Sequence, residues 1–367
     1  MSTSDPGRPG DVVATPSDLT AGVPEPRPEV RGLHPYVTGR PAGSEDGSLA
    51  SNESPFGASP AVTAALQAAA ARLHRYPDPL AGSLRRLLGS RLAVDPDSIL
   101  VANGSDELVY LLTLAYAAGG GSVVCADPPY RIHDIAARIV GASVRRVPLR
   151  DWVHDLQAMT LVEADIAFVC NPHNPTGTTV TRDELRSFVS ASRARLVVVD
   201  EAYIDFVDAP EATTMVGEAS GKLVVTRTLS KAYGLAGARV GYLVGSPLIV
   251  DYLRRIRPPF SVGTLGQAAA EAAIADDAHR ESTRELVRAG RRRLTDLFEA
   301  AGYTVVPSQT NFVLVVTGPA DDLVGRLERR GVSVRPGSAL EAPGTVRVTV
   351  PSEKGFALLE QALAPER

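Results

Sequence analysis

The segment RTLSKAYGLAGARVG (residues 227–241) places Lys231 between an apolar run, KLVVT, and a glycine-punctuated loop that leads to Arg239. The chain has only three lysines, Lys222, Lys231 and Lys354, and arginine carries the rest of its positive charge. Alone, Lys231 reads either as a solvated loop charge or as an amine put to chemical use at a strand end. Two further motifs bear on that choice. In RLVVVDEAYIDF (195–206), Asp200 ends an apolar run, so its carboxylate faces desolvation and needs a hydrogen-bonding or cationic partner. It either caps the next turn or meets a protonated pyridinium nitrogen, where an anion keeps the ring an electron sink. Tyr203 follows three residues later, placed to reach the same ligand. In VCNPHNPTGTTV (169–180), two Asn-Pro steps and Pro-Thr-Gly impose a rigid, non-helical turn. Asn174 is held there, either for the turn alone or to hydrogen-bond a phenolate oxygen.

These residues need a scaffold, and the pattern around them supplies one. SILVAN, SVVCAD, IAFVCN, RLVVVD, KLVVTR and VGYLVG read as short buried strands. They alternate with ELVYLLTLAYA, DIAARIVGA and DELRSFVSASRA, whose apolar positions recur at three- and four-residue spacing. Strands that are apolar throughout imply burial on both faces, hence an α/β fold with a mostly parallel central sheet covered by helices. Asn103, Asp127, Asn171 and Asp200 stand at strand ends, and ligands of open α/β sheets gather beyond the carboxyl ends of strands. IRPPF (256–260) reads as a hinge, followed by a long helical stretch over about 264–301. NFVLVV, VSVRP and TVRVTV then predict strands of a smaller α+β domain.

With 367 residues, 44% hydrophobic and 22% charged, the chain has room for a large and a small domain. A net charge of -4 gives no basis for binding nucleic acid or an anionic membrane. Cys125 and Cys170 end apolar runs and read as buried reduced thiols; the six histidines show no metal-ligand spacing. No run of 18 apolar residues and no secretory signal pattern is present, so a cytoplasmic location is expected. Residues 1–28, with six prolines, predict a disordered arm.

NPHNPTG, VVDEAY and RTLSKAYGLAGARVG, in this order and spacing, resemble the class I/II aminotransferases, and most nearly their histidinol-phosphate branch. The resemblance extends through PYVTGRP (35–41), LASNESPFG (49–57), RYPDP (75–79), NGSDE (103–107), PPY (128–130), PPFSVGTLGQAAA (258–270), TNFVLV (310–315) and VRVTV (346–350). It implies the aspartate-aminotransferase-like fold (fold type I) and pyridoxal 5′-phosphate (PLP) as cofactor. It also implies a homodimer with shared active sites, and an N-terminal segment (29–57) that packs on the small domain and the partner. The large PLP-binding domain would span 58–257 and the small C-terminal domain 258–367.

Carried over by position, the resemblance makes Lys231 the covalent anchor of the cofactor and the carrier of a proton between substrate Cα and cofactor C4′. Asp200 would pair with the ring nitrogen, Asn174 and Tyr203 with the ring hydroxyl, and Tyr130 would stack on the ring. Ser105, Asp106, Thr228, Ser230 and Arg239 would hold the phosphate, with Tyr76 reaching the phosphate in the neighbouring subunit. Arg347 would grip the substrate carboxylate; Tyr36, Asn52 and Arg335 match substrate positions. Tyr36 either does this or packs the N-terminal segment, and Arg335 either does this or is a surface charge. The implied reaction moves an amino group between L-glutamate/2-oxoglutarate and a second pair, foremost histidinol phosphate/imidazole-acetol phosphate. An aromatic amino acid, or decarboxylation of a threonine phosphate on the same fold, stays open. The chain departs from the branch at His173, which stands where asparagine is usual, at Pro351, which replaces glycine after VTV, and in VRPGSALEAPG (334–344), whose VRP step resembles actinobacterial aromatic aminotransferases.

Overall fold

A computed structural model describes residues 24–33, 42–318 and 322–364. Tyr36 and most of the predicted arm lie outside them. In chain order the first elements are α1 (Pro28–Arg31), α2 (Pro60–Ala70), α3 (Gly82–Leu92), β1 (Ile99–Ala102), α4 (Gly104–Tyr116), β2 (Ser122–Asp127), α5 (Arg131–Ile139) and β3 (Ser143–Pro148). Next come α6 (Leu156–Thr160), β4 (Ile166–Cys170), α7 (Arg182–Ala191), β5 (Leu196–Asp200), β6 (Leu223–Thr228), β7 (Gly241–Val244) and α8 (Pro247–Ile256). The chain ends with α9 (Thr264–Ala275), α10 (Asp277–Ala300), β8 (Thr304–Val306), β9 (Phe312–Val316), α11 (Leu323–Arg329), β10 (Arg335–Pro336), β11 (Thr345–Thr349) and α12 (Glu353–Leu363).

All six apolar runs form strands of one seven-stranded sheet, ordered β1-β7-β6-β5-β4-β2-β3. Strands β3, β2, β4, β5 and β6 run parallel, while β7 lies antiparallel to both β6 and β1. Alternate residues of the same strands enter two cores, which is why these strands carry no polar face. Val197 and Val199 of β5 pack with Leu185 and Phe188 of α7 and with α9; Leu196 and Val198 pack with Leu108, Leu112 and Val250 of α4 and α8. Each fully buried valine or leucine adds about 1.5–3 kcal/mol, so the sheet dominates the stability of this layer. Strand β3 escapes the sequence pattern: as SVRRVP at the sheet edge it is largely exposed, and its two arginines make it read as loop.

The second sheet is antiparallel, ordered β10-β11-β9-β8. Val313, Val315, Val346 and Val348 pack against Leu294 and Phe298 of α10 and Phe356 and Leu359 of α12. Residues 42–52 run along this sheet, with Leu49 N–H donating to Ser333 O at 2.8 Å and Thr349 N–H to Leu49 O at 3.0 Å. Helix α1 lies instead beside α5, where Arg27 Nη2 donates to Ile139 O at 2.8 Å.

Two expectations are corrected. The stretch 264–301 is two helices, because Asp276 ends α9 and caps α10, its carboxylate accepting from His279 N. Of VSVRP, only Arg335–Pro336 is strand; Ser333 pairs its backbone with residues 47–49 instead. Among the described residues, no helix is long and apolar enough to cross a membrane.

Candidate active site

Strands β4, β5 and β6 end side by side, and their carboxyl ends open into a cavity of about 360 Å³ closed from above by residues 50–53 and by β10 and β11. Asp200, the last residue of β5, is 1% exposed at its floor. One carboxylate oxygen accepts from Ala202 N at 3.2 Å. The other, Oδ2, lies 3.3 Å from His133 Nε2, yet neither atom makes a hydrogen bond of normal geometry. We read this contact as electrostatic, which leaves Oδ2 able to accept an N–H from the cavity. His133 sits in the first turn of α5, stacked on Phe168 at 4.3 Å and edge-on to Tyr130 at 5.1 Å. Sequence reading passed over His133; its only signal was its place three residues after Tyr130.

Lys231 follows β6 and reaches the cavity from the opposite wall. Its Nζ donates to Asn52 O at 3.1 Å and Ser51 O at 3.4 Å, and lies 5.7 Å from the centre of the Tyr203 ring. Burial, then the positive charge of Arg347, lowers its pKa from 10.5 to about 8. Tyr203 OH accepts from Asn52 Nδ2 at 2.9 Å and from Asn174 Nδ2 at 3.3 Å. Burial raises the pKa of Tyr203 and, together with Asp106, that of Tyr130, so both hydroxyls stay protonated. Tyr130 OH donates to Asp106 Oδ1 at 2.9 Å.

The far end of the cavity is an anion cradle. Helix α4 starts directly after β1 with no side-chain cap on its first N–H groups, so Ser105 and Asp106 present them at the positive end of the helix dipole. Thr228 Oγ1 donates to Ser230 Oγ at 2.9 Å, and Arg239 Nη1 to the same oxygen at 3.4 Å. Gly104 has φ +83, and a Cβ there would stand 2.7 Å from Arg239 Nη2. Only glycine lets the arginine lie over the helix start.

From β11, Arg347 donates through Nη1 to Asn174 Oδ1 and through Nη2 to Ala50 O, both at 2.7 Å. Arg335 stands directly opposite it across the β10–β11 pair, and the two are 4% and 6% exposed (Arg335 and Arg347). Every described residue given a cofactor or substrate role from the sequence lines this one cavity except Tyr76; of the strand-end residues Asn103, Asp127, Asn171 and Asp200, only Asp200 lines it. Tyr76 is 82% exposed and stacks on Phe260 at 4.6 Å. Asn52 lines the cavity with its amide already engaged by Tyr203 and Thr349. His173 is buried behind the 171–177 turn, its Nδ1 2.9 Å from Thr176 Oγ1; burial holds its pKa well below the ordinary value, and it stays neutral.

A hydrogen-bond acceptor left open at the floor, an aromatic side chain beside it, an amine on one wall and an anion cradle at the far end match a phosphorylated pyridine aldehyde in shape and charge. PLP fits the residues present. Fold and site thus define a PLP-dependent enzyme.

Comparison with known proteins narrows the class. The profile of the class I and II aminotransferases matches residues 46–363. The histidinol-phosphate aminotransferase of Halalkalibacterium halodurans is 38% identical over 362 residues, covering 93% of this chain and 97% of that protein. That of Symbiobacterium thermophilum is 40% identical over 337 residues, covering 88% and 93%. Among solved structures, the Sinorhizobium meliloti histidinol-phosphate aminotransferase in complex with pyridoxal-5′-phosphate superposes with a TM-score of 0.84 at 28% identity, over 92% of this chain and 96% of that one. The chain belongs to the class I and II aminotransferase family, and it is a PLP-dependent transaminase.

Proposed function

We propose that the protein moves an amino group between the L-glutamate/2-oxoglutarate pair and histidinol phosphate/imidazole-acetol phosphate, as a cytoplasmic homodimer. The observation that carries the substrate choice is the pairing of Arg335 with Arg347, in register on adjacent strands and both lining the cavity. Like charges opposed on a sheet repel, and an anion drawn between them lowers that repulsion. L-Glutamate brings two carboxylates and histidinol phosphate a phosphate of nearly two negative charges, so each matches this double positive charge better than the single carboxylate of an aromatic amino acid. The names of the relatives point the same way.

When bound, PLP supplies an electron sink for the negative charge that develops at the carbon bearing the amino group. In this reading Asp200 keeps the ring nitrogen protonated, with His133 facing the same carboxylate from below. Ser105, Asp106, Thr228, Ser230 and Arg239 hold the phosphate, Tyr130 lies on the ring face, and Asn174 and Tyr203 face the ring hydroxyl. Lys231 is the covalent anchor and, once released, carries a proton between substrate Cα and the C4′ position of the cofactor; its low pKa suits it to act as a neutral amine. Arg347 and Arg335 bind the anionic groups of the substrates. Residues 58–257 form the cofactor-binding part and 258–367 the part that carries these arginines. Exposed apolar side chains on α8 (Leu248, Tyr252, Ile256) and α4 (Leu114), with Leu73, Leu80 and the Tyr76–Phe260 stack, supply apolar surface for a second copy.

The test is a half-reaction panel with the PLP-loaded enzyme and L-glutamate, histidinol phosphate, L-phenylalanine and threonine phosphate, following loss of the visible cofactor band. Conversion with L-glutamate and histidinol phosphate is expected. Conversion with phenylalanine in place of histidinol phosphate, or carbon dioxide release from threonine phosphate, would overturn the substrate assignment.

A further inference from the structure

Asn52 ties three parts of the molecule together, and one hydroxyl decides how. Its backbone holds the left-handed conformation, φ +55, and its side chain is 1% exposed. Its carbonyl oxygen accepts from Lys231 Nζ at 3.1 Å and from Asn311 Nδ2 at 3.0 Å. Its amide N–H donates to Thr349 Oγ1 at 3.0 Å, the same hydroxyl lies 3.2 Å from Asn52 Oδ1, and Asn52 Nδ2 lies 2.9 Å from Tyr203 OH. Thr349 stands two residues after Arg347 on β11, hence on the same face of that strand, and is 2% exposed.

Hydrogen-bond counting settles the polarity of this chain. A guanidinium only donates, so Arg347 fixes Asn174 with Oδ1 toward itself and leaves Asn174 Nδ2 to face Tyr203. A threonine hydroxyl has one hydrogen, and buried Thr349 has Asn52 Oδ1 beside it to receive that hydrogen. With the Asn52 amide reversed, the Thr349 hydrogen would lose this acceptor, at a cost of about 1–3 kcal/mol for a buried polar group. The unreversed amide therefore wins, and Asn52 offers Nδ2 to Tyr203. Both side-chain amides now donate to Tyr203, its oxygen is used as an acceptor twice, and its own hydrogen is left to point into the cavity.

We propose that Thr349 is a positioning residue that makes Tyr203 a hydrogen-bond donor toward the ring oxygen of the bound cofactor, by fixing the orientation of the Asn52 amide. This rests on the reading that Tyr203 faces the cofactor's ring hydroxyl. With a valine at 349 the reversed Asn52 amide is no longer penalised, and in that orientation Asn52 Oδ1 takes the Tyr203 hydrogen away from the cavity.

The experiment is a pH titration of the visible absorbance of the PLP-loaded enzyme. A donor at the ring oxygen stabilises its deprotonated form, so losing that donor raises the midpoint. Thr349→Val is expected to raise it by about one pH unit, the scale of one neutral hydrogen bond. Thr349→Ser should leave it in place, and Thr349→Val should add nothing in a Tyr203→Phe background. Should the valine protein fail to fold, Thr349→Ala removes the hydroxyl without adding a group and should shift the midpoint the same way. An unmoved midpoint in a cofactor-bound Val or Ala protein, a serine shift as large as the valine one, or additivity with Tyr203→Phe would overturn the assignment to Thr349. No shift in Tyr203→Phe alone would instead remove the placement of Tyr203 on which it rests.

Discussion

The Lys231 ammonium is held against two backbone carbonyls in a cavity that also contains Arg347, and burial outweighs those two contacts. Its pKa falls from 10.5 to about 8, so the cofactor-free protein releases this proton well before an exposed lysine does. The neutral amine is the reactive form. Modification of Lys231 in the cofactor-free protein by an amine-directed reagent should therefore rise with pH through a midpoint near 8, read by mass spectrometry of the peptide containing it. Lys222, which bonds Ser192 O, provides the internal comparison. A Lys231 midpoint at 10.5 would mean that water reaches the amine freely and that the cavity does not prepare it for chemistry.

At the level of elements, the cradle depends on where α4 starts relative to Arg239. The left-handed Gly104 turns the chain from β1 into the helix with no side chain in the way, and Arg239, itself at φ +52, lays its guanidinium over that turn. Gly104→Ala puts a Cβ in a conformation that costs an L-residue roughly 1–2 kcal/mol and pushes the guanidinium off the helix start. Cofactor affinity measured by titration of the cofactor-free protein should drop about tenfold, or about 1.4 kcal/mol. Unchanged affinity alongside a lowered melting temperature would show that Arg239 braces the loop without holding the phosphate.

For the whole molecule, Tyr76 is the residue whose position in one copy has no explanation: it is the one described residue with an expected cofactor or substrate role outside the cavity, 82% exposed and stacked on the partly covered Phe260. If a second copy receives it, a mixture of Tyr76→Ala and Lys231→Ala proteins, each nearly inactive, should regain activity after unfolding and refolding together. Half of randomly paired dimers are mixed, and each has one intact site, so about a quarter of wild-type activity is expected. No recovery, with dimers seen by sedimentation, would place Tyr76 outside the neighbour's site.

The six apolar runs, the α/β class and the placing of Lys231, Asp200 and Asn174 at strand ends and turns were readable along the chain, because strand burial and strand-end polarity are local patterns. What was not local was not readable. Edge strand β3 hid behind its arginines, the break at Asp276 behind continuous helical periodicity, and His133 carries no motif that points to Asp200, a residue 67 positions further on. The facing of Arg335 on Arg347, and the hydroxyl of Thr349 against Asn52, come from strand register and from chain segments 297 residues apart meeting in one wall. Residue types name the chemistry a chain can perform; which proton points where is set only when packing decides which donors and acceptors are left to each other.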